Sequence, residues 1–134
     1  MVSRLMALPV DCADPDLLAD FWAEVLGWRV TGRGWQQAPQ GRTGATLSPG
    51  GRSPIEMDFR WVPDGPKTSK NRIHLDISPV DREQAAELDR LLALGATLLD
   101  IGQQRVSWHV LADPEGNEFC LCRDRVEPLD RDAL

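Results

Sequence analysis

At 134 residues the chain is long enough to bury one hydrophobic core without crosslinks, and a hydrophobic content of 42% places it among folded globular proteins rather than disordered ones. Its net charge of −6, with basic residues scattered, repels phosphate backbones and anionic bilayers, so neither nucleic acid nor a membrane is expected as a partner. Cys12, Cys120 and Cys122 are an odd count in a chain that needs no stapling and read as free thiols of a reducing cytoplasm, a location that fits an N-terminus too polar for a signal peptide and the lack of any membrane-length apolar run.

The first strand is read over Leu5 to Cys12, ending at the turn-forming Ala13-Asp14-Pro15. Asp14 can cap a helix whose first residue is Pro15, where a missing N–H costs nothing. Leu17, Leu18, Phe21, Trp22, Val25 and Leu26 follow at helical spacing, and Gly27 supplies the stop. Short strands are predicted at Trp28 to Thr31, Gly34 to Ala38, Thr43 to Leu47 and Ile55 to Trp61, separated by Gly-rich turns. The stretch VPDGPKTSKN reads as a connector of turn formers and exposed charge.

The second half repeats this plan. A strand over Arg72 to Ser78 leads to Asp81, which with Gln84 matches a capping box. Ala85, Leu88, Leu91 and Leu92 make the helical stripe, and Gly95 ends it. Strands are predicted at Thr97 to Ile101, Val106 to Leu111 and Glu118 to Cys122, the last two joined by the turn DPEGN. The fold class expected is α+β: one domain over residues 1–134, built from a βαβββ unit over 1–65 and a second over 70–123. Together they would form a curved mixed sheet with an enclosed cup and the two helices, Asp14 to Leu26 and Asp81 to Leu94, outside.

Three segments, VDCADPDLLADFWAEVLGW, VPDGPKTSKNRIHLDI and WHVLADPEGNEFCLC, carry a resemblance to the vicinal oxygen chelate superfamily, which includes glyoxalase I, extradiol dioxygenases and bleomycin-resistance proteins, and most closely to its bacterial glyoxalase-like domain branch. The resemblance implies that metal-using members draw one ligand from the first strand and one from the last strand of each unit. Carried over with Asp14 and Asp81 as anchors, those positions fall on Ala7 and His74 in the first strands, and on Glu56 and Cys120 in the last. Ala7 cannot ligate, and Cys120 stands where metal-using members have Glu. The resemblance also implies pairing of chains, so a homodimer is expected.

Strand alternation supplies an independent reading. His74 shares a face with Arg72 and Asp76, opposite Ile73, Leu75 and Ile77, so it points to the polar side, as a pocket-lining base or as a hydrogen-bond partner of Asp76. Glu56 and Asp58 share a face that Arg60 continues; Glu56 can shuttle a proton, while Arg60 can balance Glu56 or hold an anionic group. Cys120 and Cys122 are two apart on a strand, with packing favoured over catalysis. Trp35, Trp61 and Trp108 are placed to wall the cup with broad rings, Trp22 belongs to the core, and His109 is out of phase with Trp108. Asp113 and Asn117 read as architectural residues of the turn.

The function expected is a small-molecule binding protein of the glyoxalase or bleomycin-resistance type, with His74 and Glu56 as candidate catalytic groups and Trp61, Trp108, Arg60 and Cys120 as ligand contacts. No cofactor is expected. The alternative is a lyase, isomerase or dioxygenase dependent on a divalent metal ion, for which His74 and Glu56 would be the ligands.

Overall fold

The computed structural model describes residues 1–100, 102 and 106–128. Two compact units divide them, the first over Met1–Pro66 and the second starting at Lys67. In the first, β1 (Ala7–Cys12) leads into α1 (Pro15–Leu26), then β2 (Arg29–Ala38), β3 (Gly41–Ser48) and β4 (Glu56–Trp61). In the second, β5 (Leu75–Ile77) precedes α2 (Gln84–Leu94), then β6 (Thr97–Leu98), β7 (His109–Ala112) and β8 (Glu118–Leu121). Ile101, the predicted end of one strand, lies outside the described residues.

Both units follow one topology. The first strand pairs in parallel with the last, and the last three strands form an antiparallel meander, giving the orders β1-β4-β3-β2 and β5-β8-β7-β6. The expected single curved sheet with an enclosed cup is therefore not formed: among the described residues the strands bond in two separate four-stranded sheets, neither closed on itself. Local alternation specifies which residues form strands and which face they show. Closure needs hydrogen bonds between distant edges, for which local pattern carries no signal.

In the first unit Asp14 caps α1, its Oδ1 accepting from Leu17 N at 3.2 Å, and Gly27 ends the helix in the left-handed region at φ 66°. The buried stripe of Leu18, Phe21, Trp22 and Val25 packs the helix across β2, β3 and β4, against Leu47, Met57 and Phe59. Each such side chain contributes about 1.5–3 kcal/mol on leaving water. The two short strands expected over Trp28 to Ala38 are one strand, β2, whose pairing to β3 slips between Val30 and Gly32 and again between Arg33 and Gln36. Gln36 stands in for a strand neighbour there: its Nε2 donates to Trp61 O and its Oε1 accepts from Trp61 N, both at 2.8 Å.

In the second unit α2 starts at Gln84, not Asp81. The capping box does not form, because the Asp81 carboxylate accepts from the Arg82 guanidinium at 3.0 and 3.2 Å. Gln84, the return arm of that box, instead donates from Nε2 to Ser107 O at 2.9 Å and to Leu121 O at 3.3 Å. Leu91 is fully buried, as are Leu111, Phe119 and Leu121 on the apolar face of this sheet. No helix among the described residues is long and apolar enough to cross a membrane.

Candidate functional site

The opposite, polar face of the second sheet is set by register. Asp76 pairs with Cys120, and Cys120 in turn with Val110, so alternation brings His74, Asp76 and Ser78 beside Cys120 and Cys122. His74 immediately precedes β5. One atom each of the His74 imidazole, the Asp76 carboxylate and the Cys120 thiol lie within 4.8 Å of one another. His74 Nε2 and Asp76 Oδ1 stand 3.7 Å apart, too far for a direct hydrogen bond. Cys120 is 8% exposed, whereas His74 and Asp76 are open to solvent.

These three groups line a cavity of about 700 Å³ with Ser78, Ser107, Trp108, Cys122, Arg123, Asp124 and Val126. Two anchors hold its rim. Gln84 fixes the chain on either side, at Ser107 and Leu121, and Val126 N donates to Pro79 O at 2.9 Å, tying the segment after β8 back to the end of β5. Trp108 is 42% exposed and Val126 50%, an apolar contribution to an otherwise polar wall. Arg123 carries the cavity's guanidinium, and Asp124 accepts from its Nε at 3.1 Å.

Electrostatics at Cys120 favour the neutral thiol. Burial raises its pKa first, and the charge and hydrogen bonding of the Asp76 carboxylate raise it further. A metal ion would have to displace that proton, as thiol ligation always requires. Otherwise the donors fit. Nitrogen, carboxylate oxygen and sulfur are the ligand types of zinc-class ions, and bonds of about 2.0–2.3 Å are reached from separations below 4.8 Å by small side-chain movements. Three protein ligands with a cavity on the remaining side form the pattern of a catalytic rather than a structural metal site. The expectation of no cofactor is corrected by this cluster: His74, Asp76 and Cys120 form a donor set that could hold a divalent metal ion.

Of the residues singled out in the sequence, His74, Trp108 and Cys120 come together here. Glu56, Arg60 and Trp61 belong to β4 of the first unit, where Glu56 pairs in register with Ala7. There the Arg60 guanidinium lies 5.6 Å from the centroid of Trp35, and the Trp35 ring occupies the space a Cβ on Gly44 would need, 2.9 Å away. Thr46 Oγ1 donates to Asp58 at 2.8 Å. Trp22 is core, 3% exposed, and His109 pairs with Leu121 on the face away from the cavity.

Asp76 is the residue that sequence reading passed over as a ligand, and the cause is a two-residue error in the anchor. Ala7 lies seven residues before Asp14, the N-cap of α1, and pairs with Glu56. The N-cap of α2 is Glu83, and seven residues before it stands Asp76, which pairs with Cys120. Counting from Asp81 instead selected His74. The alternation of RIHLDI puts both on one face, so the donor pair was visible there without any anchor.

Glu118 shares that face but is already committed. Its Oε1 accepts from Lys67 Nζ at 2.7 Å and its Oε2 from Asn71 N at 3.0 Å, while Asn71 Nδ2 donates to Asn117 Oδ1 at 2.9 Å. Asp113 organises the adjoining turn, its Oδ1 accepting from Glu115 N at 2.9 Å and Asn117 N at 3.0 Å. The DPEGN turn and the connector before β5 therefore brace each other next to the donor cluster.

Comparison with known proteins places this architecture. A family model described as a glyoxalase-like domain matches residues 7–122. Among solved structures, a glyoxalase/bleomycin resistance protein/dioxygenase family enzyme from Burkholderia phytofirmans is similar at 20% identity and a TM-score of 0.61, covering 89% of this chain and 97% of its own. The fosfomycin resistance protein FosX from Mesorhizobium loti is similar at 16% identity and a TM-score of 0.64, covering 91% and 92%. An antibiotic binding protein from a Streptomyces species is similar at 19% identity and a TM-score of 0.55, covering 92% and 96%. At such identities the likeness is one of fold. No curated protein matches significantly. The chain belongs to the glyoxalase-like domain family.

Proposed function

We propose that the chain is a divalent-metal-dependent enzyme acting on a small molecule, of the lyase, isomerase or dioxygenase type, with its centre at His74, Asp76 and Cys120. The observation that carries this reading is the convergence of three donors of different chemistry, within 4.8 Å, on the wall of a cavity of ligand size. When bound, the ion would act as a Lewis acid on an oxygen of the substrate. The chain's own residues do the rest. Trp108 and Val126 offer apolar surface to the body of the ligand, and the Ser78 and Ser107 hydroxyls offer hydrogen bonds to its oxygens. Arg123, paired with Asp124, is the cation available to an anionic group, which would have to compete for the guanidinium.

Metal content and affinity test the reading. Protein loaded with zinc and dialysed should retain about one ion per chain, and His74→Ala and Asp76→Ala should each release it. Retention of metal by both variants would reject the site. The small-molecule role also rests on relatives, since FosX and the Streptomyces antibiotic binding protein are similar in fold to this chain.

Further assignments belong to the same proposal. Arg60 and Trp61 are ligand contacts on the first unit, supported by the exposed Arg60 guanidinium over Trp35. Glu56 is a candidate proton shuttle there, supported by its exposure at the start of β4. That neither Cys120 nor Cys122, two residues apart, is in a disulfide favours a reducing cytoplasm. Among the described residues β2 is an edge strand, which favours a homodimer, and light scattering giving the mass of a single chain would reject it.

A further inference from the structure

A second sulfur faces the same cavity. Cys122 directly follows β8, and its N–H donates to Ile77 O at 2.8 Å, carrying the parallel ladder with β5 one step past Leu121. Extended backbone at a two-residue interval therefore puts the thiols of Cys120 and Cys122 on one face, and both line the cavity with His74 and Asp76. Neither is in a disulfide, and Cys122 is only half-buried. Cys122 is not part of the tight group of three, so the arrangement is three clustered donors and one nearby.

The distances allow the fourth to join. Residues two apart on a strand are separated by about 6.6 Å. Two sulfurs on one tetrahedral ion, each bonded at about 2.3 Å, lie about 3.8 Å apart. Each thiol then leans by about 1.4 Å along the strand, within the sweep of a χ1 change. Chemistry points the same way: thiolates select zinc-class and softer ions, whereas magnesium and manganese prefer carboxylate, carbonyl and water oxygen.

We propose that Cys122 is the fourth donor of the resting site, displaced when a substrate oxygen arrives, and that the site consequently takes a thiophilic divalent ion in preference to magnesium or manganese. The proposal rests on the metal reading of His74, Asp76 and Cys120 and adds to it a second thiolate, an exchangeable ligand and a metal class. Exchange falls to Cys122 because it is the more exposed sulfur and sits at the end of the ladder, while Cys120 is buried within β8.

Titration of the reduced full chain with cobalt(II) under anaerobic conditions tests this. Sulfur-to-cobalt absorption in the near ultraviolet should fall by about half in Cys122→Ser, because one of two thiolates is lost, and vanish in the double Cys120→Ser, Cys122→Ser variant. Zinc affinity should drop about 10–100-fold in Cys122→Ser, and a thousandfold excess of manganese should fail to displace cobalt from the unaltered chain. Circular dichroism of Cys122→Ala, a second variant at this half-buried position, controls for folding. Full-intensity absorption in a cobalt-bound Cys122→Ser protein would overturn the proposal, as would ready displacement by manganese. Failure of the unaltered chain to bind cobalt at all, or binding untouched by His74→Ala, would remove the underlying metal reading instead.

Discussion

The two sheets share a topology and differ in what they place at the same step of it. In the first unit the junction of first and last strands holds Ala7 opposite Glu56; in the second it holds Asp76 opposite Cys120, with His74 two residues away on the same face. The first pairing has one group able to bind a cation, and the second unit offers three. A duplicated framework therefore fixes where side chains meet, while side-chain identity at a few register positions decides whether the meeting has chemistry. The polar face of the first sheet is spent differently, on Thr46 bonded to Asp58, Arg60 over Trp35, and Trp35 against Gly44.

The largest difference between the units should emerge when a charged partner is removed from each. Lys67→Met leaves Glu118, 9% exposed, without its ammonium partner and should cost about 3 kcal/mol or more in urea unfolding. Arg33→Ala, which releases Asp16 and Asp20 on the surface of the first unit, should cost less than about 1 kcal/mol. Equal losses would show that burial does not distinguish the two braces. The same pair gives a pH signature. Burial opposes ionisation of Glu118, but hydrogen bonds from Lys67 and the Asn71 N–H outweigh it and hold the carboxyl below its ordinary value. With a depressed folded pKa, the stabilisation is complete above the unfolded value of about 4.3 and is lost as pH falls through the folded value. The acid limb of a stability–pH curve should accordingly be shallower in Lys67→Met.

Metal binding probes the comparison more directly. His74→Ala should weaken zinc binding about 100-fold, near 2.7 kcal/mol, whereas Glu56→Gln should leave it within about twofold. A comparable loss from both would mean that the first unit supplies a ligand, against the three-donor reading.

Glycine replacements give a smaller contrast. Gly44→Ala meets both a φ of +94° and the Trp35 ring at 2.9 Å, and should cost about 2–3 kcal/mol. Gly116→Ala has a similar φ of +88° but meets only Lys67 Cδ at 3.9 Å, and should cost about 1 kcal/mol. Thermal denaturation of both variants would check the order, and reversal would dismiss the Trp35 contact as a constraint.

Much of the architecture was legible because it is local. Asp14, the apolar stripe and Gly27 announced α1, and Trp108, just before β7, lines the cavity while His109, one residue out of phase, pairs with Leu121 on the other face. Other features were settled by partners distant in sequence. The start of α2 moved because Arg82 engages Asp81 and Gln84 bonds to Ser107 and Leu121, and nothing in the capping pattern reports those competitors. With the anchor two residues too early, counting back seven selected His74 rather than Asp76. Cys120, read chiefly as packing, gains its significance from a carboxylate in another strand.

The parallel pairing of first and last strands also has a kinetic consequence. Asp76 lies at the beginning of its unit and Cys120 near the end, so α2, β6 and β7 all intervene in the chain. Their meeting is among the least local contacts the unit makes, and ring closure over such a span is paid for late in folding. The donor cluster cannot exist in a partly folded second unit. An ion bound there would hold the unit's two chain ends together, slowing its opening and turning metal occupancy into a measure of how completely that half of the molecule has folded.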